Sequence, residues 1–294
     1  MPVSIYQTPL IYRMKDSFSE IYGVLGYPVK HSLSPLMHNA ALAALRINAE
    51  YRLFEVAPEG LAAFMRDLIK NNIRGLNVTI PYKEKVLAFV ELPEDSLHLK
   101  EVRAVNTVVL KNGKWMGFNT DIPGFLMDLE RKRIAPENKS VALLGAGGAS
   151  RAIAYALAGS GAKEISIYDI DKEKTQGVVS MIKKLFPGFD IRPSSSVDGL
   201  DIKNKDLLVN TTPVGMKESD PCLVKEGMLH KGLFVYDVIY NPAQTKLLKI
   251  AQNAGLKNSN GLGMLLYQGA LSFAHFTGKE APVEIMRQAL EKGI

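Results

Sequence analysis

The sequence predicts an α/β protein: a Rossmann-type doubly wound parallel sheet, preceded by an N-terminal α/β domain that the C-terminal helices complete. Three observations carry this. The apolar run Val141-Ala142-Leu143-Leu144 leads into Gly145-Ala146-Gly147-Gly148-Ala149-Ser150 and then into Arg151 to Leu157. That is strand, tight turn and helix, the order a dinucleotide fingerprint needs to bring backbone close to a pyrophosphate and turn a helix N-terminus to the anion. Ser150 stands where glycine or alanine is usual. The turn also lies about 140 residues into the chain, which leaves room for another domain ahead of it. Strand and helix patterns alternate on both sides of it.

Taken in order, Ile21 to Tyr27 is an apolar strand stopped by Pro28. Ser34-Pro35 predicts a helix start, with serine as N-cap and proline at the first helical position, running to about Leu45. Tyr51 to Val56 alternates as a strand and Leu61 to Lys70 as an amphipathic helix. Gly75 to Ile80 reads as a third strand, with Pro81 opening a helix that holds Lys83 in its first turn. Val105 to Leu110 and Lys114 to Gly117 form a hairpin around Asn112-Gly113. Pro123 to Arg133 is a connecting helix, followed by a polar link at Ala135 to Ser140. Strands follow at Val141 to Leu144, Glu164 to Tyr168, Asp206 to Asn210 and Leu233 to Asp237, and helices at Leu262 to Phe276 and Pro282 to Glu291 close the chain.

Composition narrows the function. With 47% hydrophobic and 22% charged residues among 294, the chain reads as soluble and globular. No run reaches the roughly 18 apolar residues of a membrane span, and Met1 to Glu20 carries no apolar signal core. A single cysteine, Cys222, excludes an internal disulfide and fits a cytoplasmic location. The net charge of +6 is spread, its densest groups being Arg131-Lys132-Arg133 and Lys183-Lys184, so nucleic acid is not expected as a partner. A modest positive field favours anionic small ligands instead. Five histidines without ligand spacing predict no metal.

Three residues carry chemistry. Asp169, at the tip of the strand after the fingerprint helix, is placed to accept the adenosine ribose hydroxyls and repel a 2′-phosphate. It predicts NAD as the preferred cofactor, with NADP admitted as a second; Lys172 and Lys174 lie close by. The other reading of this acidic loop is an N-cap for the helix from Lys172. Lys83 in a first helical turn would meet the positive end of the dipole, a field that eases proton loss. Asp121, in Gly117-Phe118-Asn119-Thr120-Asp121, either caps the connecting helix or meets Lys83 as a proton-transfer pair.

Eight blocks of the chain resemble the shikimate/quinate dehydrogenase family. They are His31 to His38, Asn77 to Lys83, Ala104 to Thr107, Asn119 to Asp121, Gly145 to Ser150, Asn210 to Met216, Asp237 to Pro242 and Gly261 to Gly269, in register from about Gly23 onward. The resemblance implies NAD(P)-dependent, reversible reduction of 3-dehydroshikimate to shikimate, a step of chorismate and aromatic amino acid biosynthesis, with quinate as a related substrate. It implies Lys83 and Asp121 as the catalytic pair. Ser32, Ser34 and Tyr240 would hold the substrate carboxylate, and Thr79, Asn106 and Gln268 the ring hydroxyls. Gly145, Ala146, Gly147, Gly148, Ala149, Asp169, Thr211, Val238 and Gly261 would line the dinucleotide. Residues 1–122, joined by 262–294, would form the substrate domain, 141–261 the dinucleotide domain and 123–140 the linker; a homodimer is compatible with this plan.

The chain departs from the family pattern at Arg103 and at Ile122-Pro123, where glycine is usual, and at Asp169, where NADP-using members carry an Asn-Arg-Thr/Ser-like cluster. The departures at Arg103 and Ile122-Pro123 predict a different arrangement of the loop from Pro93 to Arg103. The rival readings are a quinate-preferring dehydrogenase, a non-catalytic NAD(P)-sensing module and a folate-linked dehydrogenase. Retention of Lys83, Asp121 and Gln268 argues against the second. The lack of an aromatic-rich pocket signal for a pterin argues against the third.

Overall fold

The computed structural model describes residues 20–294; the signal-free reading of the N-terminus, but for Glu20, lies outside them. The first sheet has the order β2-β1-β3-β4-β5, from β1 (Glu20–Gly26), β2 (Ala49–Glu55), β3 (Ile73–Val78), β4 (Thr107–Lys111) and β5 (Lys114–Phe118). β2 and β3 flank β1 in parallel, whereas β4 and β5 add antiparallel strands. The hairpin falls where Asn112-Gly113 places it, both residues having left-handed φ of 51° and 78°, as a type I′ turn requires. α1 (Ser34–Ala44), α2 (Leu61–Arg66) and α3 (Leu99–Val102) connect these strands.

Three local expectations are corrected. Ser34 is not an N-cap: Leu33 holds that place and Ser34 is the first helical residue, so its hydroxyl is free for other work. α2 stops at Arg66 rather than Lys70, because the chain leaves the helix through turns that end at Asn72, with φ of 56°. Lys83 does not sit in an α-helix. Its carbonyl accepts the Val105 N–H at 2.8 Å instead of serving a helical ladder, and only a 3-10 turn over Lys85–Phe89 follows.

α4 (Asp121–Arg131) leads to the second sheet, all parallel, with the order β11-β10-β9-β6-β7-β8. Its strands are β6 (Ser140–Leu144), β7 (Glu164–Tyr168), β8 (Asp190–Pro193), β9 (Leu207–Asn210), β10 (Phe234–Asp237) and β11 (Asn258–Ser259). α5 (Gly148–Gly159), α6 (Lys172–Leu185) and α7 (Lys246–Asn253) cross between them. The strand order reverses between β6 and β9, the switch point at which doubly wound sheets bind ligands. The short β8 and β11 carry no apolar run that would mark them in the sequence.

α8 (Leu262–Thr277) and α9 (Val283–Glu291) return to the first sheet. Phe276 stacks on Tyr22 at 5.1 Å, and Met286 and Leu290 are fully buried in the cluster with Met37 and Ala41 of α1. A second apolar cluster is shared by the two sheets, running from Leu25, Leu76 and Tyr82 through Phe125 and Leu129 to Leu143 and Ile153. Each such side chain contributes roughly 1.5–3 kcal/mol of burial, so the halves are joined by core and not only by linkers. Among the described residues, no helix is long and apolar enough to cross a membrane.

Candidate active site

Where β3 and β6 end, the two sheets meet. A Cβ added to Gly148 would lie 3.2 Å from Lys83 Cδ, so the lysine stem rests against the glycine turn. The Lys83 ammonium donates to Asp121 Oδ2 at 2.6 Å, both side chains being largely buried. Asp121 is the first residue of α4, where the helix field favours its negative charge. Asn119 fixes that start: its Oδ1 accepts from the Ile122 N–H and its Nδ2 donates to Ala104 O. The pair expected from the sequence is thus assembled, but by an ion pair across two segments and without a helix at Lys83.

Beside it runs a buried network of neutral groups. Asn106 Nδ2 donates to Thr120 Oγ1 at 3.0 Å and to Gln268 Oε1 at 3.4 Å, and the Thr120 N–H returns to Asn106 Oδ1 at 2.7 Å. Asn77 Nδ2 donates to Asn106 O and Thr107 Oγ1, while its Oδ1 accepts the Tyr51 and Ser272 hydroxyls. Thr79 follows β3 directly, its N–H bound to Leu25 O. At the far end of the network, Ser34 meets the Tyr51 hydroxyl, and Tyr240 meets Ser32 and the Leu33 backbone. Burial raises the pKa of both tyrosines, which keeps them neutral donors.

The structure therefore gathers Lys83 with Asp121, Asn106 with Gln268, and Ser32 and Ser34 with Tyr240. It adds Tyr51, Asn77 and Thr120, which the sequence reading did not single out. Asn77 and Thr120 lie inside the motif blocks; Tyr51, alternating on a strand, gave no signal. Among the described residues no group of three or more His, Cys, Asp or Glu could hold a metal ion.

The glycine turn fits a dinucleotide. Gly147 caps α5 with extended backbone, and among the described residues no side chain caps the helix and nothing lies within 4 Å of a Cβ placed on Gly147. The first-turn N–H groups, Gly148 and Ala149 among them, are therefore open to an anion. Gly145 has φ of +98°, and the Ser150 hydroxyl donates to its carbonyl at 2.6 Å, so the serine in the third position closes the turn from inside. Asp169 Oδ2 accepts the Ala146 N–H at 2.7 Å and Oδ1 the Asp171 N–H at 2.9 Å. Each oxygen keeps a lone pair for a ribose hydroxyl. Asp171, not Asp169, caps α6, accepting from Glu173 and Lys174. Thr211 is tied off on Leu144 O by both its N–H and its hydroxyl, and packs beneath Gly145. Val238 bonds Asn210 O, and Gly261 meets Val238 backbone to backbone, where a Cβ would lie 2.0 Å from the carbonyl oxygen.

Behind this wall Asp237 is wholly buried. It accepts from Asn210 Nδ2 at 3.0 Å, from the Thr245 hydroxyl at 2.7 Å and from the Ile239 N–H at 3.1 Å. Burial pushes its pKa up to about 6 against the pull of these bonds.

Comparison with known proteins bears on this geometry. The family profile of the shikimate dehydrogenase substrate binding domain matches residues 24–108, and that of the shikimate 5′-dehydrogenase C-terminal domain matches residues 261–291. A shikimate dehydrogenase (NADP(+)) from Methanopyrus kandleri is 44% identical over 283 residues, covering 94% of this chain and 96% of that protein. The crystal structure of a shikimate dehydrogenase in complex with NADP+ superimposes with a TM-score of 0.87 at 34% identity, covering 98% of this chain and 99% of that one. A quinate dehydrogenase from Corynebacterium glutamicum in complex with NAD superimposes with a TM-score of 0.84 at 30% identity, covering 93% and 99%.

Proposed function

Because the chain belongs to the shikimate dehydrogenase family and is an NAD(P)-dependent oxidoreductase, we propose that it interconverts 3-dehydroshikimate and shikimate, with Lys83 as the proton-transfer residue. The observation that carries this reading is the Lys83–Asp121 contact at 2.6 Å, set against the glycine turn of the second sheet. We read residues 1–122 with 262–294 as the substrate side, 141–261 as the dinucleotide side and 123–140 as the link between them.

The dinucleotide, when bound, supplies or accepts the hydride. The protein handles the rest. Lys83 Nζ gives its proton to the oxygen of the ketone as that carbon is reduced, and takes it back from the hydroxyl in the reverse direction. Asp121 aims the ammonium and balances its charge. Ser32, Ser34 and Tyr240 offer neutral hydroxyls to a carboxylate, and Tyr51 extends that set. Thr79, Asn106 and Gln268 present donors and acceptors to ring hydroxyls, held in place by Asn77 and Thr120.

The finer reading of the cofactor is NAD ahead of NADP. Asp169 and Asp171 place two carboxylates at the strand tip, and Lys174 is engaged with Asp171 at 3.2 Å. A 2′-phosphate brought about 4 Å from one carboxylate meets repulsion of several kcal/mol at an effective dielectric of 20. The relatives named for NADP(+) make this the sharper test. Steady-state kcat/KM for shikimate and for quinate, each with NAD and with NADP, in wild type and Asp169→Asn, settles both choices. The expected result is turnover of shikimate with NAD favoured, the ratio narrowing in the variant through better use of NADP. No turnover of shikimate with either carrier overturns the activity; an NADP preference in wild type overturns the role of Asp169 alone.

A further inference from the structure

We propose that Arg151 is a positioning residue that couples dinucleotide seating to the placement of Lys83; the proposal rests on the dehydrogenase reading above. Arg151 lies one turn into α5, the helix whose open N-terminus faces the glycine turn. Its side chain leaves the second sheet's territory: Nε donates to Val102 O at 2.5 Å and Nη2 to Glu101 O at 3.0 Å. These are carbonyls at the end of α3, a helix of four residues and part of the first half of the chain. A guanidinium is suited to this task because its rigid fork addresses two acceptors at once, which an ammonium does not.

The segment that Arg151 grips leads straight to the reacting lysine. Arg103 follows Val102 with a left-handed φ of 52° and pairs with Glu84, the neighbour of Lys83. The Val105 N–H donates to Lys83 O at 2.8 Å, and Ala104 O accepts from Asn119, which anchors the start of α4 at Asp121. Asn106, next in the chain, belongs to the neutral network. From the other side, Gly148 lies against the Lys83 stem. The first turn of α5 therefore touches Lys83 directly through Gly148 and indirectly through Arg151, α3 and Val105. Two more contacts bind α3 to the same half: the His98 ring stacks on Tyr155 at 4.9 Å, and Lys184 pairs with Glu101 at 2.8 Å. A ligand that fixes α5 thereby fixes the lysine backbone, and a substrate that engages Lys83 fixes α5. Reciprocity of this kind is a coupling free energy between two sites.

The test reads binding, not turnover. Shikimate affinity is titrated calorimetrically in the absence and presence of saturating NADH or NADPH, a pair that forms a dead-end complex because both ligands are already reduced. In wild type the reduced dinucleotide is expected to tighten shikimate at least fivefold. In Arg151→Ala this factor is expected to fall below twofold, while each ligand alone binds within about threefold of wild type. Arg151→Lys, which keeps the charge and most of the stem, covers the case in which the alanine variant does not fold; it is expected to lose at least half of the coupling factor. A wild-type factor retained in either folded variant, or no coupling in wild type, overturns the proposal and leaves Arg151 a staple between the halves. Failure of wild type to bind shikimate at all refutes instead the activity on which it rests.

Discussion

The proton-transfer role proposed for Lys83 is tested at the residue itself. Replacing it with alanine is expected to lower kcat by roughly 10² or more with little change in substrate affinity, since positioned acid–base groups contribute about 10²–10⁴-fold. Steady-state kinetics with a parallel binding titration checks this, and near wild-type turnover would remove the lysine from the mechanism. His38 makes a different kind of residue-level claim. It is fully buried, stacked on Tyr51 at 4.2 Å, and its Nε2 is a buried polar atom without a hydrogen-bond partner among the described residues. Burial pulls its pKa down to about 3. The unfolded chain thus takes up that proton first, so this stability is full above about pH 6.5 and drains as pH falls toward 3. Between pH 7 and pH 5 the loss from this group is about 2 kcal/mol. Urea unfolding of wild type and His38→Leu at the two pH values tests it: the leucine variant should lose less on acidification by that amount, and parallel losses would refute it. Lys83, Asp121, Asn106 and Gln268 were singled out through blocks that resemble one family, and the structure brings Lys83 to Asp121 and Asn106 to Gln268. Tyr51 could not be read, because a strand tyrosine looks the same whether it packs or donates. The proposed cap at Ser34 failed because Ser-Pro fits a helix start in two registers.

Three elements meet at Asp237, where the ends of β9 and β10 and the start of α7 converge on one carboxylate. The same carboxylate holds the Ile239 N–H, and so the loop that carries Val238 and Tyr240. With its pKa pushed up to about 6 by burial, the folded chain binds this proton before the unfolded one does. Its contribution is therefore fullest below about pH 4 and is lost as pH rises through 6, opposite in sign to that of His38. Asp237→Asn keeps the acceptor for Asn210 and removes the titration. Relative to that variant, wild type should lose about 2 kcal/mol of unfolding free energy between pH 4.5 and pH 7.5, and a gap that does not move with pH would refute it. Arg103 adds a second element-level expectation. It closes α3 in the left-handed region, which costs an L-residue about 1–2 kcal/mol, and its ion pair with Glu84 is mostly exposed and weak. Arg103→Gly should raise stability by about 0.5–1 kcal/mol after the added freedom of the unfolded chain is counted; a lower thermal midpoint would show the ion pair to matter more. Elements with an apolar run or a turn dipeptide, such as β6, β7 and the β4–β5 hairpin, were legible. The two-residue β11, the short β8 and the end of α2 were not, since pairing and turns, rather than periodicity, define them.

Across the whole molecule, one apolar cluster is shared by the two sheets despite their separate topologies, and the expectation is that they unfold as one unit. Trp115, the single tryptophan, lies on β5 in the first sheet and packs against that cluster. Its fluorescence should therefore fall in the same transition as far-ultraviolet circular dichroism, which reports both sheets; two separated midpoints would show independent domains. The doubly wound order was legible because strand and helix alternate on both sides of the glycine turn. The closeness of the halves was not, because no sequence pattern records which lysine lies on which glycine. That contact has a consequence for recombination. The second sheet looks like a cassette, and a cassette from another dehydrogenase could be grafted onto the first half with matching ends. Such a chimaera would have to rebuild the apolar cluster that the two sheets share, and, if Arg151 positions the lysine as proposed, would also need a slim residue at position 148 and a forked cation at 151. On that reading, what a graft must carry across is a sheet together with the surface it turns toward the lysine.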